Sequence, residues 1–116
     1  MNAPRPDLAE RRAALKRRLE DLRSAAAATT DDRKPVELDQ TSVGRVSRVD
    51  AMQVQAMALA TERIRQGEMR RIEAALKRIE SGEYGDCVRC GEEIAPARLD
   101  VDPAVPTCMA CAKAKQ

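Results

Sequence analysis

The chain has 116 residues, 43% hydrophobic and 34% charged, with 21 basic against 19 acidic side chains and a formal net charge of +2. Twenty of the apolar residues are Ala, Phe and Trp are absent, and Tyr84 is the one aromatic, a composition of one small domain rich in solvated helix that excludes a deep catalytic pocket. The near-neutral charge excludes nucleic-acid binding by electrostatics alone, and the lack of an apolar run of about 18 residues excludes a membrane span.

The N-terminal residues lack the apolar stretch of a signal peptide, so the expected compartment is the cytoplasm. Residues 5–28 read as the first helix. Leu8, Leu15 and Leu22 recur every seven residues, Leu19 joins them, and Asp7 with Glu10 resembles a capping pair at the start. The seam is narrow, so Arg11, Arg12, Lys16, Arg17 and Arg18 read as its solvated face. Thr29, Thr30, Asp31 and Asp32 favour local side-chain bonds over helix and Pro35 ends any continuation, which places a loop at about 29–46.

A second helix is expected from about Ser47 to Ser81, stopped by Gly82. Val49, Met52, Ala56, Leu59 and Ala60 share one face, whereas Ile72, Ala75, Leu76 and Ile79 lie on a face rotated by roughly 140° at 100° per residue. Two partners are implied: the first half should pack antiparallel on the Leu seam, and the second half on whatever follows Gly82. Gly67 marks either a bend or a tolerated surface glycine, and Glu73 is spaced to pair with Lys77.

Cys87, Cys90, Cys108 and Cys111 form two C-x-x-C pairs separated by 17 residues, the spacing of a four-thiolate zinc site. Each pair directs two sulfurs to one metal from a tight turn, and Gly91 suits the positive φ of the first turn. Four thiolates leave no position for a catalytic water, so one Zn2+ per chain would be structural and would add folding energy that an Ala-rich core lacks. A redox dithiol needs a βαβ context that is missing here, and iron–sulfur ligation uses the same donors. Without His, and with no nucleophile beside a base, the chain does not read as an enzyme.

From Arg70 to Cys111 the sequence runs through Arg-Ile-Glu-Ser-Gly-Glu-Tyr-Gly-Asp-Cys-Val-Arg-Cys-Gly-Glu-Glu-Ile, then Ala-Arg-Leu, a proline and Cys-Met-Ala-Cys. This resembles the DksA/TraR family. The resemblance implies a mainly α fold: an antiparallel helical hairpin (a coiled coil) over 1–81 with its tip loop at about 29–46, followed by a small four-Cys zinc finger over 82–116. It also implies that the hairpin enters the secondary channel of bacterial RNA polymerase and modulates transcription initiation without binding DNA, as a monomer.

Regulatory members of that family carry Asp-x-x-Asp-x-Ala at the tip, where Gly44, Ser47 and Val49 stand in this chain. Asp39 before them and Asp50-Ala51 after them are the candidate replacements, although Ser47 with Asp50 also fits a capping pair opening the second helix. Arg45 and Arg48 either meet acidic channel walls or are solvated. Asp102 and Ala112 occupy places where ppGpp-responsive members carry Arg and Lys, which argues against a ppGpp site of that design. Competing readings are a zinc-stabilised nucleic-acid binder using Arg89, Arg98, Lys113 and Lys115, and a helical adaptor.

Overall fold

The computed structural model describes residues 8–34 and 45–114. Its described elements are α1 (Leu8–Ala28), a 3-10 helix (Thr30–Arg33), α2 (Arg45–Ser81), α3 (Pro96–Val101) and α4 (Met109–Ala114). The molecule is a rod of 73 × 31 × 20 Å, set by α2, whose 37 residues span about 55 Å at 1.5 Å per residue.

Both helix boundaries at the tip differ from the sequence reading. The Thr-Thr-Asp-Asp stretch is not plain loop: the Thr29 and Thr30 hydroxyls donate back to the carbonyls of Ala25 and Ala27, and the chain tightens into the 3-10 helix. Helix α2 is already formed at Arg45, two residues before the expected start. Ser47 is therefore inside the helix, and the Ser47–Asp50 capping pair does not exist. Asp7, Asp39 and Lys115 lie outside the described residues.

At its other end α2 stops at Ser81, with Gly82 at φ +80. The Glu83 N–H donates to the Arg78 carbonyl (2.8 Å) and the Gly82 N–H to that of Ile79 (3.3 Å), the paired bonds of a Schellman turn. A side chain at Gly82 would meet nothing, so backbone conformation alone calls for glycine there. Gly67 marks no break, since α2 runs through it.

The core corrects the two-partner reading of α2. Leu15, Leu19 and Leu22 of α1 are buried in one cluster with Met69, Ile72 and Ala75 of α2, and with Tyr84, Cys87, Ile94, Leu99, Ala104 and Val105 beyond it. Leu76 and Ile79 pack against the same cluster, and Leu8 and Ile79 line one shallow cleft. The second half of α2 thus meets α1 and the C-terminal segment together, while Val49, Met52 and Leu59 stay exposed. An antiparallel α1 that starts beside the C-terminal end of α2 runs out before it can cover the N-terminal end, because it has 21 residues against 37.

Ion pairs fix this register. Arg18 donates twice to Glu68 (2.8 and 3.1 Å) and Arg23 once to Glu73 (3.2 Å), so Glu73 bonds across the hairpin to Arg23. Arg11 is not merely solvated either: it donates to Asp100 (2.7 Å), tying α1 to α3. Beyond the apolar core the seam becomes polar. Glu62, buried, accepts from Arg33 (3.2 Å), Gln66 (2.6 Å) and Arg65, and the Gln55 amide donates to the Lys34 carbonyl. Every buried side-chain nitrogen or oxygen among the described residues has a hydrogen-bond partner.

Candidate metal centre

The segment after Gly82 is built by short turns around a small apolar floor. Tyr84, buried, donates its hydroxyl to the Pro103 carbonyl (2.8 Å), with Ile94 and Leu99 in the same cluster. The Cys87 N–H donates to the Glu92 carbonyl (2.7 Å) and the Gly91 N–H to the Cys87 carbonyl (2.9 Å), closing a knuckle in which Gly91 takes φ +78. Cys108 directly precedes α4, whose first turn brings Cys111 back toward it: the Cys111 N–H points at Cys108 Sγ (3.5 Å). The Val88 N–H donates to the Pro106 carbonyl (2.9 Å) and joins the two knuckles.

The Sγ atoms of Cys87, Cys90, Cys108 and Cys111 all lie within 4.8 Å of one another. Four sulfurs about 2.3 Å from a central zinc stand about 3.8 Å apart on a tetrahedron, and Cys90 Sγ and Cys108 Sγ are 3.7 Å apart. Burial pushes the Cys87 thiol up, yet the N–H groups of Cys108, Cys90 and Arg89 aimed at its sulfur outweigh it and draw the thiol down to about 6. Cys111 is pushed up to about 12 by the neighbouring sulfurs of Cys108, Cys90 and Cys87. One thiolate is easily made, and the last ionises with difficulty unless a cation sits among the four. That is the signature of a cation site, and the donor set is soft, fourfold and closed.

The site therefore holds one structural zinc, whose chemistry is to neutralise four thiolates and cross-link two turns that little else joins. Of the tip candidates, Arg45, Arg48, Asp50 and Ala51 fall in the first turns of α2, Asp50 exposed and Arg48 and Ala51 half-buried. They lie at the opposite end of α2 from the cysteines. Arg98, a candidate for nucleic acid, is spent inside the finger, donating to the Thr107 carbonyl (2.9 Å). Asp102 Oδ1 accepts from the Ala104 N–H (3.1 Å) and serves a turn. The sequence reading missed Glu62 and its arginines. The signal was available only in the three-and-four spacing of Gln55, Ala58, Glu62, Arg65, Met69 and Ile72, which marks Glu62 as a seam position.

A helical hairpin whose base is closed by a four-cysteine zinc finger is the class that fold and site define. Residues 82–116 match the family described as the prokaryotic dksA/traR C4-type zinc finger. An RNA polymerase-binding transcription factor DksA of Haemophilus influenzae is 42% identical over 43 residues, 37% of this chain and 30% of that protein. An uncharacterised protein of Aquifex aeolicus is 49% identical over 45 residues, 39% of this chain and 31% of that one. The matched segment spans about a third of the length of these curated relatives.

Whole-chain similarity comes from structures. The transcription factor DksA2 of Pseudomonas aeruginosa superposes with a TM-score of 0.74 at 19% identity, covering 97% of this chain and 84% of that one. The DnaK suppressor protein of Agrobacterium tumefaciens gives 0.57 at 28% identity, covering 90% of each. The chain belongs to the DksA/TraR family.

Proposed function

We propose that the chain is a non-enzymatic, cytoplasmic regulator that binds bacterial RNA polymerase in its secondary channel through the free end of the hairpin, and modulates initiation without contacting DNA. The observation that carries this reading is the rod itself. One end is fixed by the shared core and zinc finger, and the N-terminal part of α2 extends past the apolar core as exposed helix. A preorganised helix enters a narrow channel with little loss of conformational entropy. The likeness to transcription factor DksA2 over nearly the whole chain supports the same use. Asp50, exposed near the start of α2, is the described acid suited to reach the active centre, with Asp39 as the second candidate; Arg45, Arg48 and Ala51 belong to the same end.

The test is binding of the zinc-loaded protein to purified RNA polymerase core enzyme, followed by transcription with wild type and Asp50→Asn. Saturable binding, together with a transcriptional effect that Asp50→Asn loses while still binding, is the expected result. Binding to naked DNA with none to polymerase would overturn the reading in favour of a nucleic-acid binder.

A further inference from the structure

The first half of α2 carries its apolar side chains on the outside of the hairpin. From Ser47 to Ile64 the residues drawn away from solvent are Arg48, Ala51, Gln55, Ala58, Ala60 and Glu62. All but Ala60 keep the three-and-four spacing that continues through Arg65, Met69, Ile72, Leu76 and Ile79. The hairpin thus has one seam from end to end, apolar beside the finger and polar or small toward the tip. Val49, Met52, Met57, Leu59 and Ile64 point elsewhere, and Met57 and Ile64 are 70% and 74% exposed.

At 100° per residue these five, with Ala56 and Ala60, cover an arc of roughly 160° centred well away from the seam, about 22 Å long at 1.5 Å per residue. No carboxylate falls within that arc: Asp50 is beyond its edge, and Glu62 is turned into the seam and paired. Its finger-side end is occupied by exposed Arg63. A contiguous apolar face of this kind marks an interaction surface, and Met side chains adapt to irregular partners. The face is also continuous with Asp50 and Ala51, so whatever receives the tip lies against it.

We propose that this outward face of α2 supplies most of the affinity for RNA polymerase, meeting a protein surface that is apolar at its centre and carries carboxylates at its rim. The proposal rests on the polymerase reading above and deepens it, separating a surface that binds from a tip that acts.

The test measures the Kd of zinc-loaded protein for RNA polymerase core enzyme over a salt series, with M52Q/M57Q and M52L/M57L as paired variants. Gln and Leu both suit an exposed helix, so helicity and zinc content should be unchanged. The Gln pair should weaken binding at least tenfold and the Leu pair should bind like wild type. Arg63→Gln should flatten the salt dependence, which keeps the test decisive even if the Gln pair unfolds.

Equal Kd values for wild type and the Gln pair, or an unaltered salt dependence in Arg63→Gln, would overturn the proposal while leaving the polymerase reading intact. Absence of wild-type binding would instead remove that reading. Sedimentation of the free protein and flotation with phosphatidylglycerol vesicles cover the other occupants. Self-association or vesicle binding that the Gln pair abolishes, with polymerase binding unchanged, would reassign the face to a second copy or a membrane surface.

Discussion

Glu62 shows how far a single side chain shapes the hairpin. A donated Gln66 amide bond, with Arg65 and Arg33 alongside, holds its carboxyl below the ordinary value of 4.5 against the opposing cost of burial. Glu68, bonded by Arg18, is lowered in the same direction. A depressed carboxyl contributes stability that is present above its unfolded value and lost as pH falls through the folded one. The melting temperature should therefore drop as pH falls below about 4.5, and Glu62→Gln should reduce that slope without abolishing it, because Glu68 remains. Removing the acid altogether by Glu62→Ala leaves two guanidinium groups facing a seam without their acceptor and should cost about 1 to 3 kcal/mol, measured by urea unfolding at neutral pH. Gly67→Ala should act in the opposite direction. The new methyl would meet only the ends of Arg70 and Arg71 at 3.8 Å, so the helix should gain about 0.5 to 1 kcal/mol.

Legibility at this scale followed chemistry. Cysteine spacing encodes ligand geometry and could be read directly, whereas a carboxylate in a charged helix looks solvated until the register of the opposite helix is known.

Between elements, the sequence reading found α1, α2, the Gly82 stop and the Leu seam, because heptad spacing and a left-handed terminator are local signals. It misassigned the partner of that seam. Apolar residues were taken to mark where α2 packs, but in the first half of the helix they mark where it does not. The difference is measurable by paired truncations. Ile72→Ala, at a side chain 1% exposed, should cost about 2 to 5 kcal/mol, while Leu59→Ala, on the outward face, should stay within about 0.5 kcal/mol. Equal losses at both sites would restore the two-partner reading.

Across the whole molecule, hairpin and finger are not independent, since one cluster runs from Leu15 through Ile72 and Tyr84 to Val105. The Arg11–Asp100 pair adds a second tie. Metal removal should accordingly unfold the finger and also lower the melting temperature of the hairpin, with the helical signal falling only in part; chelator titration followed by circular dichroism checks this. The zinc-finger base then acts as a fixed mount, and the opposite end of α2 is the part left to reach a partner. Hydrogen–deuterium exchange of the zinc-loaded protein, alone and saturated with RNA polymerase core enzyme, tests that division of labour most directly. The account predicts new protection over residues 45–64, with little change over residues 82–114. Protection confined to the finger, or appearing only when DNA is added, would contradict it.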